Sequence, residues 1–404
     1  MIGGKCRSFT LSNTLLFLSR AIKQTCTLFF GLVAVLLATD SLSQVIDEQI
    51  RNLPKQAEDL SSADDQDDGG LQFIVLPIPI SSPSIGTGLS VVGAVLFRTD
   101  DESKPSFVGI GAGYLDSGTW GVAFSHSTYF AKDRYRADTM FGLVEVNYDF
   151  FGVGNEAGDS GRSIMLDQRI WGGNGQFYRR VFPNLYLGAQ LWYYDITTTF
   201  PLTELMNLFP DLEPLELQMR NVGIGALLNY DSRNSRFKPQ NGMLADLVVN
   251  YGRTDLGRNS HFSDDYQKVL AIANRYVGLS EKDTLAFRAS LCRVWGRAPL
   301  FDICLFGTNN DLRGYSGGQY RDTAMFAVQV EYRRDLFWRL GATIFAGVGS
   351  VAPDFGSFRG DDLLPAGGAG LRLLVSETYG VNVSVDYAFG MHSDAIYVRI
   401  GEAF

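Results

Sequence analysis

The chain has 404 residues, of which 46% are hydrophobic, 13% aromatic and 20% charged, with 44 glycines and a net charge of −9. A protein built from membrane-spanning helices would be more apolar, and a nucleic-acid-binding protein would carry a basic surface, so the composition argues against both classes. Abundant glycine and aromatic residues instead suit a β-barrel, with a large secreted β-sandwich or propeller as the alternative.

The first predicted element is a secretory signal peptide over residues 1–43. Basic residues precede an apolar run at 27–38, and small residues follow at 41–43. A membrane-anchoring helix is the alternative, but it needs about 20 consecutive apolar residues, and this run is shorter. We therefore expect export, with cleavage near Gln44.

Residues 44–70 are predicted to form an acidic flexible linker. They hold eight acidic and two basic residues, and so short a segment does not fold independently. The remainder, residues 71–404, is expected to form one domain.

From residue 71 onward, alternating apolar and polar residues predict about sixteen strands. Their approximate bounds are 71–80, 85–98, 105–115, 118–130, 133–150, 163–180, 184–199, 219–232, 242–254, 263–279, 284–296, 323–335, 338–350, 366–376, 380–389 and 393–404. Lengths near ten residues fit tilted membrane-spanning strands.

The connections between these strands alternate in length. The longer ones, taken as outer loops, are 151–162, 201–217, 297–322 and 351–364, and the inner ones are mostly short, as at 131–132, 336–337 and 377–379. A sandwich or a propeller has no reason to sort its loops in this way. The sequence therefore predicts an all-β fold, a transmembrane antiparallel β-barrel of about 16 strands in the bacterial outer membrane, monomeric and surrounded by outer-membrane lipid.

Polar residues alternate along the predicted strand 323–335. Gln329, Glu331 and Arg333 share one face, while the residues between them are apolar or aromatic. This strand follows a glycine-rich segment that contains the run Asp-Leu-Arg-Gly-Tyr at 311–315. A half-buried strand of a soluble protein would show the same alternation, so this pattern gains its meaning from the rest of the chain.

Five segments, in this order and spacing, resemble the BamA/TamA outer-membrane assembly-factor superfamily, also called the bacterial surface antigen family. They are residues 147–155 (NYDFFGVGN), Asp231-x-Arg233 with Pro239 and Gly242, Leu312-Arg313-Gly314-Tyr315, Gln329-x-Glu331-x-Arg333, and residues 400–404 (IGEAF) with Gly401 and Phe404. The resemblance covers residues 71–404. It implies that Asp231 to Gly242 form a periplasmic turn and that Phe404 is the aromatic end of the closing strand.

The resemblance also implies that the loop 297–322 folds back into the lumen with Arg313 at its tip. A guanidinium inside a barrel needs an acceptor, and Glu331 is expected to supply a bidentate one. The family pattern has an aspartate where this chain has Gly347, so the loop is either held less firmly or Asp386 substitutes. The alternative is an exposed loop arginine beside a solvated glutamate.

Two cysteines, Cys292 and Cys304, lie outside the predicted signal peptide. Two free thiols are the simpler interpretation, and a disulfide in an oxidising compartment is the alternative.

The expected function is assistance in the insertion or translocation of proteins, with unfolded outer-membrane or secreted proteins as clients. Residues 44–70 are too few for the periplasmic receiving domains of assembly factors, so docking would depend on another protein, the linker or the periplasmic turns. A passive channel and a structural or surface-interaction barrel are the alternatives. Three scattered histidines and the lack of a nucleophile motif predict no enzyme, no metal and no cofactor.

Overall fold

The computed structural model describes residues 72–82, 86–200, 215–235, 238–257, 263–307, 311–376 and 381–404. The predicted signal peptide (1–43) and acidic linker (44–70) lie outside the described residues, as does most of the predicted outer loop 201–217. In the part of the chain that the structure describes, no helix is both long and apolar enough to cross a bilayer.

Within the described residues, sixteen long strands form one antiparallel sheet, and each pairs with the next long strand along the chain. The bounds are β1 Gln72–Ser82, β2 Gly86–Phe97, β3 Ser106–Leu115, β4 Trp120–Phe130, β5 Tyr135–Phe150, β6 Ile164–Phe182, β7 Leu185–Phe200, β8 Leu215–Asp231, β9 Gly242–Leu256, β10 Ser263–Gly278, β11 Asp283–Gly296, β14 Ala324–Phe337, β15 Leu340–Ala352, β16 Leu364–Ser376, β17 Val381–Phe389 and β18 Asp394–Ile400.

Three smaller elements lie in the connections that were predicted as outer loops. Two-residue strands, β12 Cys304–Leu305 and β13 Arg321–Asp322, pair with each other. A short helix, α1 (Asn155–Asp159), follows β5, and a single 3₁₀ turn at Gly360–Asp362 precedes β16. The predicted all-β barrel of about 16 strands is confirmed, and most strand bounds agree within a few residues.

The two faces of the sheet differ in polarity. Large apolar side chains such as Ile110, Leu191 and Ile224 are more than half exposed on the outer face, whereas the buried polar residues lie between them on the inner face. A soluble protein would not expose such a band, but lipid requires it. The outer surface is therefore suited to contact with hydrocarbon.

Two inner walls of the barrel have opposite character. The charged wall, on β14 to β18, is defined by Glu331, Arg333, Arg372, Asp386 and Arg399, all buried. The small-residue wall, on β2 to β4, is defined by Ser90, Gly109, Gly111, Gly113 and Gly121, which alternate with outward residues. The barrel is thus lined unevenly around its circumference.

The end of the chain departs from the prediction. β18 ends at Ile400, and Gly401, at φ +79°, turns the chain inward while its N–H still bonds to the carbonyl of Asn382 at 2.7 Å. Phe404 is buried in a cluster with Tyr276. The prediction that Phe404 ends the closing strand is therefore wrong, because a left-handed glycine redirects the backbone before the aromatic residue.

Arginines hold Phe404 in its inward position. The guanidinium carbons of Arg288 and Arg333 lie 5.9 and 5.5 Å from its ring centre, and Arg333 Nη2 donates to its carbonyl at 2.7 Å. The aromatic ring therefore fills space inside the barrel, where it makes cation–π contacts with both arginines.

One inner turn is also shifted. β14 continues to Phe337, so the turn predicted at 336–337 falls at 338–339, with Trp338 at φ +52°. Trp338 is 80% exposed, which suits an aromatic residue at a membrane–water boundary.

Candidate functional site: the loop inside the barrel

The connection between β11 and β14, residues 297–323, returns into the barrel. Its segment around Leu312, Arg313 and Tyr315 is almost completely buried. Gly314 adopts φ +113°, and a Cβ added there would lie 2.9 Å from the backbone of Phe389 on β17. Both the backbone conformation and the close approach require glycine at this point of the loop.

Arg313 binds the charged wall through most of its donors. Its Nη1 lies 2.5 Å from Asp386 Oδ2, and its Nε and Nη2 each donate to Gln329 Oε1 at 3.0 Å. Nη2 also forms an ion pair with Glu331. The guanidinium carbon lies 3.4 Å from the ring centre of Phe345. The loop is thus fixed by charge-assisted hydrogen bonds and a cation–π contact.

Glu331 does not pair with Arg313 alone. Its Oε2 bonds to Arg313, and its Oε1 accepts from Arg333 Nε at 2.6 Å, with Arg372 Nη2 at 4.0 Å. The prediction of a bidentate Arg313–Glu331 pair is therefore wrong, because a second arginine on the same strand takes the other oxygen. Glu331 instead bridges the loop to the wall.

Asp386 has a similar bridging role on β17, three strands further along the sheet. Besides Arg313, it contacts Arg372 Nη1 at 2.6 Å and Arg399 Nη1 at 3.3 Å. Arg372 in turn contacts Glu402 at 2.7 Å. Because every carboxylate here touches more than one guanidinium, the cluster acts as a network.

Gly347 accounts for the departure from the family pattern. A Cβ at this position would lie 2.5 Å from Leu312 Cδ1 and 2.4 Å from the carbonyl oxygen of Val328. Leu312 thus occupies the space that an aspartate would need. Arg313 receives its second carboxylate from Asp386 instead, which was one of the two alternatives left by the sequence.

Aromatic rings pack around the returning part of the loop. Phe306, Tyr315 and Tyr320 contact one another edge to face, with centroids 5.4 to 6.2 Å apart. The Tyr315 hydroxyl donates to the carbonyl of Pro365 at 2.6 Å. This cluster closes the space between the loop and β16.

Helix α1 covers the same cluster from the opposite side. A Cβ on Gly158 would lie 2.4 Å from the ring of Tyr320, so the helix approaches the ring through a glycine. The Tyr320 hydroxyl donates to Asp159 Oδ1 at 2.9 Å. Burial and this hydrogen bond raise the pKa of Tyr320, so the hydroxyl remains a donor at neutral pH. Asn155 Nδ2 also bonds to the carbonyl of Val351 at 2.7 Å, which ties α1 to β15.

A second anchor, which the sequence reasoning missed, lies near the start of the loop. Asp302 Oδ1 is 2.7 Å from Lys268 Nζ, and Asp302 also accepts from the Tyr266 hydroxyl. Lys268 is almost completely buried on β10. An inward lysine beside an inward tyrosine at alternate positions of β10 was a visible signal that some acidic residue must reach this wall.

The residue before this anchor contacts a third part of the barrel. Phe301 packs in a cluster with Leu115 on β3, Val146 on β5 and Ile196 on β7. The loop therefore extends across the lumen, from the charged wall at Arg313 to β10 at Asp302 and to β3 through β7 at Phe301.

Cys292 on β11 and Cys304 on β12 are joined by a disulfide. The bond links the barrel wall to the first strand of the loop hairpin. Of the two alternatives left by the sequence, the structure has the disulfide.

The segment from Asp231 to Gly242 lies apart from this loop, between β8 and β9. Arg233 Nε and Nη2 donate to the two oxygens of Asp231, each at 2.9 Å. Pro239 is buried, and Gly242 adopts φ +108°. These contacts stabilise a turn and do not bring the segment to Arg313. Among the described residues, no group of three or more His, Cys, Asp or Glu residues is arranged to hold a metal ion.

Comparisons with known proteins agree with this architecture. Residues 211–404 match the Omp85 superfamily domain. The barrel is similar to BamA from Haemophilus ducreyi lacking POTRA domains 1–3, at 16% identity and a TM-score of 0.54, over 83% of this chain and 70% of that one. No curated protein matches the chain.

Two further solved structures share the fold. CdiB from Acinetobacter baumannii aligns at 11% identity and a TM-score of 0.50, over 91% of this chain and 70% of that one. CdiB from Escherichia coli aligns at 14% identity and a TM-score of 0.53, over 83% of this chain and 63% of that one. At such identities the likeness concerns the fold alone.

Proposed function

We propose that this chain, a BamA/TamA-like barrel of the bacterial outer membrane, assists the insertion or translocation of proteins at that membrane. The premise is the barrel fold together with the Omp85 superfamily match at residues 211–404. Its clients would be unfolded outer-membrane or secreted proteins. No catalytic chemistry is part of the proposal.

One observation carries it: β1 and β18 stand at the two ends of the strand order, and no ladder joins them within the described residues. Within the part of the chain that the structure describes, each is an edge whose outward main-chain groups have no partner strand, and edges of this kind are templates for another extended segment. Because hydrocarbon offers no hydrogen bonds, such edges favour either closure on each other or pairing with a client strand.

The loop supports this role over that of an open channel. It crosses the lumen and is held by ion pairs at both Arg313 and Asp302. A loop fixed across the lumen in this way narrows the path that a passive channel would keep open. The loop instead keeps the lumen filled while the edges are available.

The direct test is quantitative proteomics of outer membranes from a strain that lacks this protein. We expect selective loss of particular outer-membrane or secreted proteins, restored by the wild-type gene and by Arg169→Ala, a change on the outer face. An unchanged profile would contradict assembly and favour a structural barrel. An unchanged profile together with lost ion conductance in planar bilayers would favour a channel.

A further inference from the structure

The free edge of β1 is identified by the hydrogen bonds of its neighbour. The carbonyl of Thr87 on β2 accepts from the N–H of Asp116 at 2.8 Å, so odd-numbered residues of β2 bond to the β3 side. Even-numbered residues of β2 therefore bond to β1, where Ile78 lies opposite Ser90 in an unbroken register. Odd-numbered residues of β1 consequently direct their N–H and C=O groups to the free edge.

Two prolines occupy that free edge. Pro77 and Pro79 are both odd-numbered and have no N–H to donate. The five free-edge positions of β1 are 73, 75, 77, 79 and 81, and only three of them retain a donor. Between Val75 and Ser81, about 20 Å of strand, the edge offers carbonyl acceptors alone.

The free edge of β18 has no such gap. Gly401 N–H bonds to the carbonyl of Asn382 at 2.7 Å, which continues the register of β17 and β18. Odd-numbered residues of β18 therefore bond to β17, and positions 394, 396, 398 and 400 face the free edge. None of the four is proline, so each offers both a donor and an acceptor.

These two edges are poorly matched to each other. Any antiparallel register that engages all four β18 positions covers four of the five on β1, and both prolines are among them. Opposite each proline, a β18 carbonyl would receive no hydrogen bond. An unpaired carbonyl in hydrocarbon is costly, so closure through β1 leaves the β18 edge incompletely satisfied.

We propose that β18 is the edge that receives an incoming client strand, and that Pro77 and Pro79 make β1 a weak competitor for the same edge. The inference rests on the proposed function. The partner is an extended segment of an unfolded barrel protein, free of proline over about seven residues, with apolar and polar residues in alternation. Such a segment would donate a hydrogen bond to each of the four free-edge carbonyls of β18, whereas β1 leaves two of them without a donor.

Photo-crosslinking distinguishes the two edges. A photoreactive amino acid is placed at Phe73 on β1 or at Ile396 on β18, which are 74% and 64% exposed on the outer face. The full-length protein is reconstituted in lipid vesicles with an unfolded eight-stranded outer-membrane barrel as the client. We expect about tenfold more client adducts from position 396, since two main-chain bonds separate the edges. Equal adducts from both positions, or more from position 73, would overturn the inference.

Restoring the missing donors supplies the second test. Pro77→Val with Pro79→Val should let β1 pair fully with β18, raise the temperature at which the barrel unfolds on gels, and reduce client adducts at position 396 several-fold. Ile78→Val with Ile80→Val, on the paired side of the same strand, is the matched control and should change neither. Each single proline variant restores one donor and should give an intermediate result. If the variant with both Pro77→Val and Pro79→Val folds and forms client adducts like wild type, the role of the prolines is refuted.

Client insertion is measured by protease protection in the same vesicles, which separates this inference from the function beneath it. If the protein accelerates client insertion but the adducts form at position 73 on β1, the choice of β18 is rejected and the proposed assembly function is retained. No acceleration of insertion and no adducts at either edge would reject both.

Discussion

The charged wall and the small-residue wall are both built from the inward faces of β-strands, yet they differ in the contacts that they make with the loop. The charged wall meets Arg313 with two carboxylates and an amide. On the small-residue wall, Gly109, Gly111 and Gly113 present no side-chain groups to bind anything. We infer that β14 to β18 hold the loop through ion pairs, whereas β3 meets it only through the apolar packing of Leu115 in the cluster that contains Phe301.

Removing the loop arginine should have the largest effect. Arg313→Ala leaves buried carboxylates without their shared cation, which typically costs about 3–5 kcal/mol. We expect a corresponding loss in the free energy of unfolding, measured by denaturant titration of the barrel in detergent micelles. Arg169→Ala removes an exposed arginine 3.6 Å from Glu145 and should cost about 1 kcal/mol or less. Equal losses for the two variants would mean that the charged wall does not hold the loop.

Exchanging the charges sharpens the same comparison. If Arg313 and Glu331 formed an isolated ion pair, Arg313→Glu with Glu331→Arg would restore it. In this network, however, the new arginine at position 331 would lie beside Arg333 and Arg372. We therefore expect the double variant to be no more stable than Glu331→Arg alone in the same titration. Recovery to near wild-type stability would show that Arg313 and Glu331 act as an independent pair.

The anchor at Asp302 should contribute less than Arg313. Asp302→Ala leaves the buried ammonium of Lys268 without its carboxylate, at a cost of about 2–3 kcal/mol. Because one end of the loop is then released, ion conductance in planar bilayers should also rise. Asp302→Leu with Lys268→Met removes both charges and should recover stability relative to Asp302→Ala, since an apolar pair replaces a buried ion pair at little cost. A double variant as unstable as the single one would contradict the anchor.

A matched pair of glycines compares the two walls at the level of packing. Gly347→Ala places a Cβ 2.4 Å from a carbonyl oxygen and 2.5 Å from Leu312, so we expect a loss of about 1–3 kcal/mol. Gly111→Ala meets its nearest atom, on Val92, at 3.1 Å and should change stability by about 0.5 kcal/mol or less. Equal losses in the unfolding titration would mean that the two walls are packed alike.

The barrel was predictable because its strands alternate with a period of two, and local alternation does not depend on distant partners. The predicted resemblance agrees with the Omp85 superfamily match over residues 211–404, and the BamA and CdiB structures share the barrel fold. The loop contacts at Arg313 followed from the resemblance. Asp386 was named only as an alternative, because the space taken by Leu312 is not visible in the sequence.

Two further features could not be predicted from the sequence, because they depend on residues that are distant along the chain. Asp302 reaches Lys268 across 34 positions of chain, and nothing local pairs them. Phe404 was assigned to the closing strand because its neighbours alternate like a strand. Whether Gly401 adopts a left-handed conformation depends on what fills the lumen beside it, here the ring of Tyr276 and two arginines.

The central claim, a loop held inside the barrel by Arg313, is tested most directly by cysteine labelling of intact cells with a membrane-impermeant maleimide. Leu312→Cys should stay unlabelled until the protein is denatured, because Leu312 is 1% exposed inside the lumen, whereas Phe355→Cys, in a predicted outer loop and 51% exposed, should label at once. Adding Arg313→Ala should expose the cysteine at position 312. Equal labelling at positions 312 and 355 in an otherwise wild-type chain would contradict the account.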